Sequence, residues 1–272
     1  MTPVQSVVPG AGSQGKPITF QLSLDLARID EAVDLARLGV ASGVQVLEAG
    51  TILILSEGAR ITLPRLKQEF PEHPIVADIK CTDGGSFDMG LVFSLGAAKA
   101  TVMASASDAT IKYCIREAAK YPGCEVMVDT MGFGGHDGSN IQGQVQAARR
   151  ARDLGAHYIV LHLGFDERAE NRSMVDNNVL LKWAEAVANE NLGIPIQVVG
   201  GLTLAQAARL PEFGIGEIVI SMNLGSSPIG EMQYDKITGF TVDLKDEEDR
   251  SKVSSQLKRF IGEVTGKYTG QF

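Results

Sequence analysis

The stretch Asp78-Ile79-Lys80-Cys81-Thr82-Asp83 holds two carboxylates and an ammonium within six residues. It follows the apolar run Pro74-Ile75-Val76-Ala77 and leads into Gly84-Gly85. Charges at the end of a buried strand are costly unless they neutralise one another or bind an ion. On an extended chain Asp78 and Lys80 share a face, because side chains alternate with a period of two. A packed structural strand has no use for such a face, whereas an active site at a strand end does. The flanking acids keep Lys80 cationic, ready to stabilise an anion or donate a proton.

The elements that position this stretch recur along the chain as amphipathic helix, glycine, short β-branched run. Leu38-Gly39 precedes Val44-Gln45-Val46-Leu47, Leu95-Gly96 precedes residues 99–103, Leu154-Gly155 precedes Tyr158-Ile159-Val160-Leu161, and Phe213-Gly214 precedes Glu217-Ile218-Val219-Ile220. Glycine just past a helix is the usual left-handed C-cap. The runs read as strands buried on both faces, as in parallel sheets. Eight strands are expected near 20–24, 44–47, 75–77, 99–103, 125–128, 158–161, 196–199 and 217–220. Helical patterns lie between them, over 29–38, 109–119, 142–154, 178–190 and 204–210. Eight alternating units predict an α/β fold, a (β/α)8 TIM barrel. An open doubly wound sheet is the rival, but Asp25-Leu26-Ala27-Arg28 is no Gly-rich dinucleotide turn. Residues 1–17 read as a flexible leader, and 18–272 as one barrel domain with a C-terminal helical extension patterned over 253–264.

In such barrels the chemistry sits at the C-terminal strand ends. Those ends carry Asp25 after strand one, Glu48 after strand two, Asp78, Lys80 and Asp83 after strand three, and Asp129 after strand five. His162 and Asp166 follow strand six, Gly200-Gly201 strand seven and Asn223 strand eight. Glu48 and Asp78, on adjacent strands, suit a hard cation such as Mg²⁺, which takes one or two carboxylates plus water and substrate oxygens. His162 is an acid–base candidate beside Gly164 and Asp166. His73 and His157 fall at the opposite barrel end and read as structural, while His136 lies in the Gly-rich loop 132–138, read as a mobile connection. Gly200-Gly201 can bring backbone N–H groups to a phosphate.

Composition narrows the function classes. The chain has 272 residues, 44% hydrophobic and 21% charged, ample for one large core. A formal net charge of −8 disfavours nucleic acid and anionic membrane as partners. No apolar run approaches the ~20 residues needed to span a bilayer. Cys81, Cys114 and Cys124 show no metal spacing and read as reduced thiols of a cytoplasmic protein.

Taken in order, Leu22-Ser23-Leu24-Asp25-Leu26, Leu47-Glu48-Ala49-Gly50-Thr51, Ser56-Glu57-Gly58, Asp-x-Lys-x-x-Asp at 78–83, Val128-Asp129, His162-x-Gly164-x-Asp166 and Gly200-Gly201 resemble the orotidine-monophosphate decarboxylase superfamily. Within it the chain is most similar to the branch of hexulose-6-phosphate synthase and 3-keto-L-gulonate-6-phosphate decarboxylase. The His-x-Gly-x-Asp version leans to the synthase. The resemblance implies a Mg²⁺-dependent aldolase that adds the enediolate of ribulose 5-phosphate to formaldehyde. Glu48 and Asp78 would bind Mg²⁺, Lys80 would serve proton transfer or charge stabilisation, and His162 would be the base. Asp83 would complete the site of the neighbouring subunit in a homodimer. A decarboxylase on the same scaffold, and a non-catalytic metal-binding barrel, are the alternatives. One departure stands out: the family usually places Gly-Arg after strand eight to grip the phosphate, and here Asn223 holds that position, with Arg168 and Arg172 as candidate substitutes.

Overall fold

Eight parallel strands close into a barrel in sequence order: β1 (Thr19–Leu24), β2 (Val46–Ala49), β3 (Ile75–Cys81), β4 (Lys99–Met103), β5 (Glu125–Asp129), β6 (Tyr158–His162), β7 (Ile196–Val199) and β8 (Glu217–Ile220), with β8 pairing back onto β1. This is the expected TIM barrel. The structure, a computed structural model, describes residues 18–221, 233–235, 239–241 and 244–266. The leader 1–17 and Asn223 lie outside the described residues.

Two separate apolar clusters explain the alternation within each strand. Phe20, Leu22 and Leu24 of β1, Ile75 and Ala77 of β3, and Ile159 and Leu161 of β6 belong to the large core between barrel and helices. The residues between them have the opposite parity: Val46, Val76, Met127, Tyr158 and Val160 form a second cluster, with Val199 packed against it. The strands are buried on both faces, as expected, but the inner parity is mixed. Gln21, Ser23, Glu48, Asp78, Thr101, Asp129 and Gln197 are all buried. At the far end of the interior, the Lys99 ammonium sits 3.8 Å from the Tyr158 ring centroid and 3.6 Å from Glu125 Oε2.

The helices follow from caps and apolar spacing. In the helix Asp108–Ala118, Ser107 Oγ accepts from the Thr110 N–H at 3.1 Å, and Thr110, Ile111, Cys114 and Ala118 form the buried stripe. The pattern over 204–210 shortens to the helix Leu204–Ala207, followed by a 3₁₀ turn at Leu210–Phe213, because Pro211 cannot donate to a continuing helix. The pattern over 178–190 becomes Val179–Ala188, with Asn178 in the left-handed region at its start. The C-terminal helix spans Glu247–Val264, longer than its apolar pattern, because Asp246 caps an acidic first turn. It packs Val253, Leu257, Phe260 and Val264 inward, with the Phe260 ring edge-to-face on Phe20 at 6.2 Å. Gln233–Asp235 and Gly239–Thr241 form an antiparallel pair that the sequence reading did not anticipate.

The loop after β5 is also pinned rather than free. Trp183 Nε1 donates to Gly138 O at 2.9 Å, and a side chain at Gly134 would lie 2.0 Å from the Trp183 ring.

Candidate active site

Strand β3 carries the chemistry further than its apolar run suggests. It continues through Cys81, and its pairing with β4 shifts register between Ala77 and Cys81. At that irregularity Lys80 adopts φ 45°, a left-handed conformation costly for a residue with a Cβ. Its N–H donates to Thr101 Oγ1 at 3.0 Å. Strained backbone of this kind concentrates at functional sites because the surrounding structure over-determines it. Lys80 and Asp78 share a side as expected, through this bulge rather than through regular alternation.

Asp78 is held from three directions. The Lys80 ammonium pairs with its Oδ2, Thr51 Oγ1 donates to the same oxygen at 2.8 Å, and Thr101 Oγ1 donates to Oδ1 at 2.8 Å. Glu48, one strand away, accepts from Gln21 Nε2 and from Ser23 Oγ, the latter at 3.0 Å. Gln197 Nε2 then donates to Gln21 Oε1 at 3.0 Å, tying β7 to β1. On the opposite wall Asp129 is 2% exposed, and its Oδ2 lies 2.7 Å from His162 Nδ1, while its Oδ1 accepts from the Met131 N–H at 2.8 Å. This pairing orients the imidazole on the cleft that His162 lines. Glu48, Asp78, Lys80, Thr101, Asp129 and His162, with Gln21 and Gln197, line one cleft.

The carboxyl groups in the cleft outnumber its one ammonium. Burial, reinforced by the carboxylates of Asp78 and Asp25, pushes Glu48 up to about 8. Asp25 is raised by burial too, with Asp78 adding to the effect and a hydrogen bond from Ser23 opposing it. Burial works against the Lys80 charge, but the carboxylates of Asp78, Asp129 and Glu48 outweigh it and hold the ammonium above its usual range. Burial likewise opposes ionisation of Asp129, and His162 with Lys80 overcomes it, leaving this carboxyl below its usual range. The Asp25–Glu48–Asp78 corner therefore sets three carboxyl groups against the one Lys80 ammonium, and burial favours the protonated form of Asp25 and Glu48. Its donors are all hard oxygens, the set that Mg²⁺ takes. Among the described residues no group of three or more His, Cys, Asp or Glu is placed to hold a metal ion. A cation here would take two carboxylates and fill its shell from water and substrate.

Other expected site residues fall elsewhere. Asp83 and Asp166 are exposed and do not enter the cleft of this chain. Asp83 follows the end of β3, and Asp166 lies in the first turn of the helix Phe165–Glu170, where Glu167 reaches back to the Gly164 N–H at 2.9 Å. Gly200 and Gly201, just past the end of β7, line a neighbouring, mainly apolar crevice too tight to admit a water. Only glycine fits at 200, where φ is 121° and a Cβ would meet Leu163 O at 2.3 Å. Arg168 Nε donates to Gly164 O at 3.2 Å, and burial lowers this guanidinium to about 10 against the pull of Asp25. Arg172 is exposed. His157 accepts from the Val126 N–H, the structural part expected of it. Sequence reasoning did not single out Gln21, Thr101 or Gln197. The signal was their shared parity with Ser23, Glu48 and Asp129 on inward strand positions.

Comparison with known proteins points the same way. The model of the orotidine 5'-phosphate decarboxylase / HUMPS family matches residues 19–186, a stretch that includes Glu48, Asp78, Lys80, Asp129 and His162. The 3-hexulose-6-phosphate synthase of Mycobacterium gastri is 32% identical over 195 residues, 72% of this chain and 86% of that protein. That of Methylomonas aminofaciens is 31% identical over 199 residues, 73% and 87% of the two chains. A crystal structure of 3-hexulose-6-phosphate synthase shares the fold with a TM-score of 0.69 at 24% identity, covering 89% of this chain and 99% of that one. A ligand-bound crystal structure of KGPDC from Streptococcus mutans also gives 0.69, at 20% identity and 93% and 99% coverage. With this family match over most of the barrel, the chain belongs to the orotidine 5'-phosphate decarboxylase / HUMPS family.

Proposed function

We propose that this protein is a lyase, an aldolase that joins formaldehyde to C1 of ribulose 5-phosphate to give a hexulose 6-phosphate. The observation that carries the proposal is one cleft in which a carboxylate-paired imidazole, Asp129–His162, faces an ammonium–carboxylate pair, Lys80–Asp78, beside Glu48. The synthase relatives support the choice of substrates.

His162, oriented by Asp129, removes a proton from C1, next to the C2 carbonyl. Lys80 offsets the negative charge that develops on the sugar oxygens. The C1 carbon attacks formaldehyde, the new C–C bond forms, and the alkoxide from formaldehyde takes a proton from the His162 imidazolium. Glu48 and Asp78 would hold Mg²⁺, which when bound supplies further positive charge against the developing oxyanions. Asp25 is half-buried beside this corner, hydrogen-bonded by Ser23, and is assigned a supporting part in the reaction. Gly200-Gly201 and Arg168 are the groups of this chain assigned to the phosphate, since Asn223 offers no charge-assisted contact. Asp166 is left a role at the rim.

A homodimer would bring Asp83 of one subunit to the cleft of the other. Phe87 is 82% exposed and Leu55 76%, on helices that follow β3 and β2, and such apolar surface suits a two-fold contact. Among the described residues no helix is long and apolar enough to cross a membrane.

The test is a panel of ketose phosphates and keto-acid phosphates, with and without Mg²⁺, following formaldehyde consumption and CO₂ release separately. Formaldehyde consumption with ribulose 5-phosphate is expected. CO₂ release alone would move the assignment to the decarboxylase, and neither would leave a non-catalytic barrel.

A further inference from the structure

Two thiols stand together behind the cleft. Cys81 closes β3, and Cys114 lies on the inward stripe of the helix Asp108–Ala118, 33 residues later. Their sulfurs are 4.0 Å apart, and the residues are 2% and 0% exposed. Gly85 makes this approach possible, since a Cβ there would lie 2.6 Å from Cys114 Sγ and 2.7 Å from Thr110 O. Cys81 Sγ donates to Asp83 O at 3.2 Å, and the neighbouring Cys81 sulfur holds Cys114 below the usual thiol range against burial. Cys124 is apart from the pair, donating to Ala97 O at 3.4 Å.

Cys81 is joined by one peptide bond to Lys80, at the point where β3 leaves regular register and the backbone is left-handed. A disulfide requires the sulfurs to close to about 2 Å, so a bond here must draw β3 and the Cys114 helix together or rotate both side chains. Lys80 sits at the irregular end of β3, so a bond that moves the Cys81 backbone moves Lys80 with it.

We propose that Cys81 and Cys114 are a redox modification site that takes a two-electron oxidant of the peroxide class, closes to an internal disulfide and displaces Lys80. Cys114, on losing its proton, attacks one peroxide oxygen, the O–O bond breaks, and the departing hydroxide takes up the proton lost from Cys114 to leave as water, giving a sulfenic acid. The Cys81 sulfur then attacks the sulfenic sulfur, the S–O bond breaks, the hydroxyl leaves as water with the Cys81 proton, and the S–S bond forms. Two thiols are oxidised and one peroxide is reduced to two waters. In a reducing compartment such a bond is transient, as redox-sensing disulfides are.

The effect on turnover rests on the assignment of Lys80 to the reaction, whereas the bond itself does not. The experiment exposes the native protein to hydrogen peroxide, maps the cysteine peptides by mass spectrometry, and measures turnover before and after dithiothreitol. The peptides holding residues 81 and 114 should become linked, with turnover falling at least ~10-fold and returning on reduction, since a displaced acid–base group costs that much or more. Cys114→Ala and Cys114→Ser should each hold their turnover through the same treatment, and Cys124→Ala should respond like the wild type. Peptide mapping and reversal on the wild type need no variant. Absence of the 81–114 link, or a link that leaves turnover unchanged, overturns the proposal. A reduced protein with no turnover on the substrate panel would defeat the aldolase reading, and the thiol site is then judged by the link alone.

Discussion

Replacing Lys80 by alanine separates the chemistry from the architecture. Its ammonium pairs with Asp78, lies 3.3 Å from Thr51 Oγ1, and keeps a quarter of its side chain exposed. If Lys80 offsets charge in the transition state, kcat should fall by about 10²–10⁴-fold, the range for a positioned acid–base group. At 1.36 kcal/mol per tenfold that is roughly 2.7–5.4 kcal/mol of lost transition-state stabilisation. Folding should suffer less. Breaking a fully buried pair costs about 3–5 kcal/mol. Here Asp78 keeps hydrogen bonds from Thr51 and Thr101 and the lysine is partly solvated, so roughly 1–3 kcal/mol is expected. Lys80→Gly supplies the control. It removes the same ammonium and also the Cβ that resists φ 45°, so it should be more stable than Lys80→Ala by about 1 kcal/mol, with an equally low kcat. For a chain of this size that is roughly 2–4 °C in Tm. Steady-state kinetics and thermal denaturation read the two effects independently. Near-normal kcat in Lys80→Ala would make the residue structural. A glycine variant no more stable than the alanine variant would remove the argument from backbone strain.

The same geometry carries three further expectations. Chelation should abolish turnover and Mg²⁺ or Mn²⁺ restore it, with Glu48→Gln and Asp78→Asn each weakening metal binding in calorimetric titration; full turnover in chelator would contradict the hard-cation corner. Asp129→Asn should lower kcat by about 10²-fold while circular dichroism stays native, because the imidazole loses the carboxylate that orients it; an unchanged kcat would show that His162 needs no orienting partner. Light scattering should give a dimer, and Phe87→Asp should shift it toward monomer with loss of turnover if Asp83 serves the neighbouring subunit; an active strict monomer would end the shared-site idea.

The strand and helix rhythm, and with it the barrel, was legible in the sequence, because glycine caps and apolar runs are local signals. So were the strand-end positions of Glu48, Asp78, Lys80, Asp129 and His162, since ionisable groups closing apolar runs stand out, and the structure lines one cleft with all five. The alternation inside the strands was harder to read, because Gln21, Thr101 and Gln197 are neutral and reveal a role only when closure turns one parity inward onto Glu48 and Asp78. The left-handed Lys80 and the irregular pairing of β3 with β4 depend on the neighbouring strand, which no local propensity encodes. Distance along the chain likewise hid the Cys81–Cys114 approach, made by one helix laid against one strand over Gly85. By itself, then, the sequence determined the eight-fold alternation and the ionisable groups at the strand ends. The tertiary structure alone decided which of those groups meet, because closing the barrel brings Asp78, Glu48 and His162 to one cleft and leaves Asp83 and Asp166 facing solvent.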